Sequence, residues 1–107
     1  MAFSEFKEYL SLEKKYSPHT LTAYLKDLSD FSTFASEAYD YDKIADVSYA
    51  IIRQWMVTLV EQGVSNRSVN RKISSLQAYF KFLLKTKQIS VNPLLQHKAL
   101  KTEKTQV

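Results

Sequence analysis

This chain has very little to turn with. One glycine and two prolines are spread over 107 residues, and each stands where a helix would begin or end. Pro18 follows Ser17, Pro93 follows Asn92, and Gly63 precedes Val64. A capping Ser or Asn followed by Pro is a helix start, because an N–H at the first helical position would have no partner in that turn anyway. A lone glycine followed by an apolar residue is a helix end closed by a left-handed residue. Tight hairpins want Gly or Asn at positive φ. Short strands joined by turns are therefore not expected, and the chain reads as all-α.

Between these marks the apolar residues recur at helical spacing. A first helix is predicted from about Ala2 to Lys15, with Phe3, Phe6, Tyr9 and Leu10 on one face. Lys14 and Lys15 then fall in its last turn, where the helix dipole favours cations. A second helix starts at Pro18 and should end near Glu37, with Leu21, Leu25, Leu28, Ser32 and Ala35 in line and Tyr24 and Phe31 beside them. Ala38 to Val47 reads as a connection anchored by Ile44 and Val47. Ser48 is placed to cap a third helix, with Val47 stapled to Ile52. Ile51, Ile52, Trp55, Met56, Leu59 and Val60 make a wide stripe, so this helix is predicted to be the most buried.

Val64 to Lys87 reads as one long helix, capped by Ser65 or Asn66. Val69, Ile73, Leu76, Phe80, Leu83 and Leu84 form its core stripe. At about 100° per residue, Arg67, Arg71, Ser74, Ala78, Lys81 and Lys85 fall on the far side. That far side carries cations, a short hydroxyl, a small residue and no carboxylate of its own, which suits a polyanion. Asn92-Pro93 opens a short fifth helix, PLLQHKAL. Residues 99–107 are polar and read as a linker following a single domain over 1–98.

The net charge of +4 conceals an asymmetry. Residues 1–62 carry six Lys or Arg against ten Asp or Glu, whereas residues 63–107 carry nine Lys or Arg against one acid, Glu103. Such a division points to an acidic partner. A solvated basic helix is the plain alternative.

Little catalytic chemistry is visible. There is no cysteine, so neither a disulfide framework nor a thiolate metal site can form; this fits a reducing, cytoplasmic setting. His19 and His97 have no His, Cys, Asp or Glu at metal-ligand spacing. One glycine cannot make a phosphate-cradling loop. Asp40, Asp42 and Asp46 lack the glycine and closing Glu of a calcium loop. No cofactor, metal or catalytic residue is assigned, and no apolar run approaches the roughly 20 residues that span a bilayer.

The order of motifs resembles the start of bacterial tyrosine recombinases of the Xer and phage-integrase type. In FKEYLSLEKKYSPHTLTAYLKDLSDFSTF the resemblance lies in Ser17, His19, Thr20, Tyr24, Asp27, Leu28 and Phe31. In SNRSVNRKISSLQAYFKFLLKTKQISVNP it lies in Ser68, Arg71, Ser74, Leu76, Tyr79, Phe80, Phe82, Leu83, Asn92 and Pro93. It covers about residues 3–98 and is nearest to XerC- and XerD-like chromosome-dimer recombinases or a mobile-element relative.

The resemblance implies a four-helix SAM-like orthogonal bundle that clamps one face of double-stranded DNA. Catalysis would belong to a following domain in cis, through an Arg, a Lys, a His-x-x-Arg block and a Tyr nucleophile. The full-length protein would assemble as a tetramer of recombinase protomers on two duplexes. This piece would be a monomer without enzymatic activity of its own.

It also implies that the start of the second helix and the long fourth helix face the major groove. The candidate DNA-binding residues are His19, Thr20 and Lys26 on the second helix, with the free N–H groups near Pro18–Thr20 as an anion site. On the fourth they are Arg67, Ser68, Asn70, Arg71, Lys72, Ser74, Lys81 and Lys85. Arg71 is expected to meet a phosphate or a base edge, and Lys72, Lys81 and Lys85 to neutralise phosphates. Tyr79 and Phe82 are expected to pack against the first helix or a neighbouring domain. Two other readings stay open: a helical module docking an acidic protein, and a stand-alone helix-turn-helix regulator, which lacks a compact recognition helix here.

Overall fold

In a computed structural model, residues 3–101 are described; the expected helix start at Ala2 and the last residues of the expected linker lie outside them. The elements are α1 (Ser4–Leu12), α2 (Pro18–Tyr39), a 3-10 turn (Ile44–Asp46), α3 (Tyr49–Glu61) and α4 (Asn66–Lys85). No strand occurs among the described residues, and no helix there is long and apolar enough to cross a membrane.

The helix boundaries follow from capping chemistry. Ser17 Oγ accepts from the Thr20 N–H at 3.2 Å, with Pro18 in the first turn of α2. Ser65, not Asn66, caps α4, accepting from the Ser68 N–H at 3.2 Å. Gly63 ends α3 at φ +93°: its N–H donates to the Val60 carbonyl and that of Val64 to the Leu59 carbonyl, both at 3.0 Å. That is the paired closure expected of a glycine followed by an apolar residue. Ser48 occupies the cap position of α3, but its side chain makes no capping bond. Ile44 and Val47 are both buried, as anchors of the connection.

Three expectations are corrected. First, α1 stops at Leu12, so Lys14 and Lys15 lie beyond the helix instead of in its last turn. Second, α4 rather than α3 is the most buried helix: Val69, Ile73, Leu76, Tyr79, Phe80, Phe82 and Leu83 are all buried, whereas Val57 and Val60 of α3 are exposed. The reason is position. α4 is packed by α2, by α3 and, through aromatic rings, by α1, so it is enclosed on three sides. Third, the fifth helix does not form. Pro93–Gln96 is a turn in which Asn92 Oδ1 accepts from the Leu94 N–H at 2.8 Å, and the chain then runs on as an extended strap. The Asn-Pro signal made its cap, but one turn without further partners does not propagate.

The core is continuous. Leu28 and Phe31 of α2, Ile52 of α3 and Val69, Leu76 and Phe80 of α4 are fully enclosed. The α1–α4 seam is aromatic: Phe6 meets Tyr79 edge-on at 5.1 Å and Phe82 at 5.4 Å, and Tyr9 meets Phe82 at 5.0 Å. Tyr79 and Phe82 therefore pack against α1, as expected. Each buried large side chain contributes about 1.5–3 kcal/mol, and this seam takes Phe82 out of any polar face.

Candidate nucleic-acid interface

The outward side of α4 is where the second half's cations gather, and its electrostatics are set by α2. Asp27, whose side chain is only 2% exposed, sits at the α2–α4 contact. Its Oδ2 accepts from Arg71 Nη1 at 2.7 Å and from Ser75 Oγ at 2.7 Å, and its Oδ1 lies 3.4 Å from Lys72 Nζ. A buried carboxylate needs partners of this kind; here it has two cations and a hydroxyl. The outward side of α4 carries no carboxylate of its own, as read from the sequence, but α2 lends it Asp27 and Asp30, the latter 3.9 Å from Lys72. Asp27 is buried on α2 with Leu28 and Phe31, and the helical pattern could not assign its partner.

The other candidates divide by what holds them. Arg71 keeps a half-exposed side chain, 53%, and spends one nitrogen on Asp27, leaving further N–H donors for an outside partner. Arg67, Ser74, Lys81 and His19 are exposed, and no ion pair holds Arg67 or Lys81 among the described residues. Lys72 is 16% exposed and held by its acids. Lys26 pairs with Asp30 one turn along α2, at 3.2 Å.

Lys85 points elsewhere. It pairs with Glu13 at 3.0 Å and lies 5.1 Å over the Tyr9 ring, in a groove that also holds Glu5 and Glu8. Its hydrogen bond to Glu13 raises its pKa. Ser68 is half-buried with its N–H on the Ser65 cap.

Asn70 is tied to the strap: its Nδ2 donates to the Leu100 carbonyl and its Oδ1 accepts from the Leu100 N–H, both at 2.9 Å. Asn66 does likewise to the Lys101 carbonyl. At α2 the anion site shrinks, because Pro18 has no N–H, the Thr20 N–H is held by Ser17, and the Thr20 hydroxyl is also on Ser17 at 3.1 Å.

One feature was not legible in the sequence. A cleft of about 350 Å³ lies between the end of α1, the start of α2 and the middle of α4. Lys14 and Lys81 line it, with Ser74, Gln77, Tyr16 and Tyr24. Among the described residues no carboxylate does. Burial, and then the neighbouring Tyr16, push the Tyr24 phenol pKa upward, so its hydroxyl keeps its proton. His97, in the stretch expected to form a fifth helix, is half-buried, with Nδ1 2.9 Å from the Tyr49 hydroxyl. Burial lowers its pKa. Among the described residues no group of His, Cys, Asp and Glu could hold a metal ion.

The sequence pattern of the phage integrase N-terminal SAM-like domain matches residues 3–87. A tyrosine recombinase XerC of Oceanobacillus iheyensis is 41% identical over 100 residues, 92% of this chain and 32% of that protein. XerC of Halalkalibacterium halodurans is 39% identical over 92 residues, 86% of this chain and 30% of that protein. XerC of Anoxybacillus flavithermus is 40% identical over 88 residues, 82% of this chain and 29% of that protein. The chain thus spans less than a third of the length of these relatives. No solved structure matches it. The matched pattern runs from the start of the aromatic α1 seam to the end of the α4 cap, and the chain belongs to the phage integrase N-terminal SAM-like domain family.

Proposed function

We propose that this domain binds double-stranded DNA as the N-terminal clamp of a site-specific tyrosine recombinase acting in the cytoplasm. The observation that carries the reading is the outward side of α4, where Arg67, Arg71, Ser74 and Lys81 stay exposed on a helix whose other sides are enclosed. A rigid helix with a cationic, small-residue face is the shape that enters a major groove about 12 Å wide. The relatives' names supply the class of protein. Arg71 is the residue proposed to touch a base edge or phosphate, with Arg67 and Lys81 on phosphates and His19 at the edge of the site. Residues 99–107 lead towards a catalytic domain in cis, and recombinase protomers assemble as a tetramer around the duplexes.

The test is binding of the 107-residue chain to a labelled duplex by fluorescence anisotropy across a salt series. The expected result is weak binding whose log K falls linearly with log salt. A flat salt response defeats the electrostatic argument. Competition by an acidic protein as effective as by unlabelled duplex favours the protein-docking alternative instead.

A further inference from the structure

The cleft between α1, α2 and α4 is lined in part by Ser74 and Lys81, which belong to the exposed part of α4, and it joins elements that no motif connects. We propose that it seats a backbone phosphate of the bound duplex between Lys14 and Lys81, so that the α1–α2 connection forms part of the DNA-binding surface. The inference rests on the DNA-binding reading above and adds a second strand contact to it.

Three observations support the seat. Its lining brings together two cations from different elements, Lys14 and Lys81, with no acid among the described residues that line it. The cation on the other flank of Tyr9 provides a contrast: Lys85 lies among Glu5, Glu8 and Glu13 and is paired. The neutral donors also converge. Ser74 is exposed at the rim, and Tyr16 and Tyr24 bring phenols to the opposite side. Gln77 is committed in a useful sense: its Oε1 accepts from Asn92 Nδ2 at 2.6 Å, which leaves its amide N–H groups for the cleft. A site of ammonium, hydroxyl and amide donors with no acceptor charge is suited to a phosphate oxygen.

The spacing agrees with a duplex. Arg71 and Lys81 are ten residues apart on α4, about 15 Å at a rise of about 1.5 Å per residue. That is close to the major-groove width of about 12 Å. Arg67 and Arg71 then meet one wall of the groove and the cleft meets the other, with Ser74 and Ala78 between them. α1 ends at Leu12, which lets Lys14 turn back to the cleft rather than continue along a helix.

The test compares Lys14→Ala, Lys81→Ala and their combination with the parent chain, using a labelled duplex of mixed sequence across a salt series. Lys85→Ala is the control, and thermal melting verifies that each variant folds. Loss of one phosphate contact makes the slope of log K against log salt shallower by about one. Either single variant is expected to show that change, the double variant little more, and Lys85→Ala none. An unchanged slope for Lys14→Ala, in a parent that binds duplex, overturns the seat and leaves the DNA-binding reading standing. A parent that does not bind duplex overturns both. Amide shifts at Ser74 and Gln77 that saturate with inorganic phosphate, but do not move with duplex, overturn the backbone phosphate as occupant.

Discussion

Replacing Asp27 by alanine is the sharpest perturbation of the α2–α4 contact. The carboxylate is buried and has three partners, and each loses something different. The Ser75 hydroxyl is also buried, and its one other acceptor among the described residues is the Arg71 carbonyl at 3.5 Å. Losing a bond to a charged group there costs about 1.5–3 kcal/mol. Lys72 is largely enclosed and falls back on Asp30 at 3.9 Å, a further loss of about 1 kcal/mol. Arg71 is half-exposed and can turn to water, so its share is at most about 1 kcal/mol. The total is roughly 2.5–5 kcal/mol, close to the range of about 3–5 kcal/mol for removing one partner of a buried pair.

With a urea m-value of about 1–3 kcal/mol/M, the unfolding midpoint falls by about 1 M or more. Asp27→Asn keeps the shape and an acceptor for Ser75 but removes the charge, and should lose less. A double-mutant cycle of Asp27→Ala with Ser75→Ala should show a coupling of more than about 1 kcal/mol. A loss below about 1 kcal/mol for Asp27→Ala, measured by urea unfolding, would refute the claim that this network holds α4 on α2.

Gly63→Ala should destabilise the domain by about 1–2 kcal/mol through backbone strain alone, because its φ is +93° and nothing lies within 4 Å of an added Cβ; chemical denaturation measures this. Arg71→Ala should weaken duplex binding by about 1–3 kcal/mol if the guanidinium reads a base, and unchanged affinity in a folded variant removes it from the interface. The strap should loosen in acid. Burial holds the His97 pKa below its ordinary 6.5, so the unfolded chain takes up the proton first, and the stability gained here is full above about pH 6.5 and lost as pH falls from there through the folded-state value. Faster amide exchange at Leu100 on going from about pH 7.5 to about 5.5, beyond the intrinsic change, is the expected sign.

The helices were legible where a side chain both starts the helix and caps it. Ser17-Pro18 and Ser65 did this, and Gly63 ended α3 by conformational freedom alone. The other ends were less legible because they use non-glycine residues at positive φ: Lys15 after α1, Asp40 after α2 and Lys87 after α4. Nothing in the local sequence distinguishes a lysine that will take that conformation from one that extends a helix. The Asn92-Pro93 signal was genuine at the level of the cap and misleading at the level of the helix, since Leu94 found its place in the core without a helix to carry it. The site was legible as far as one element could show it. The α4 face was visible as a wheel, whereas the partners of Asp27, Asn70 and Lys85 depend on which elements meet, and periodicity does not encode that.

That difference changes how strongly the domain should hold DNA. Counted along the sequence, Arg67, Arg71, Lys72, Lys81 and Lys85 of α4 offer about five phosphate contacts, hence a salt slope of roughly −4 to −5. In the fold the acidic first half lies against the basic second half. Lys26, Lys72 and Lys85 are paired, and Arg71 shares a nitrogen with Asp27. Arg67, the outward part of Arg71 and the Lys14–Lys81 cleft remain, about three contacts, and the slope should be nearer −3. The two values separate two mechanisms. A slope near −3 means that the α2–α4 ion pairs stay closed on DNA, keeping α4 fixed and leaving Arg71 with a set orientation for groove contact. A slope of roughly −4 to −5 means that the duplex takes both Lys72 and Lys26 from their carboxylates. In that case Asp27→Asn should steepen the slope no further while raising affinity, because the competition it removes is the one the phosphate was winning.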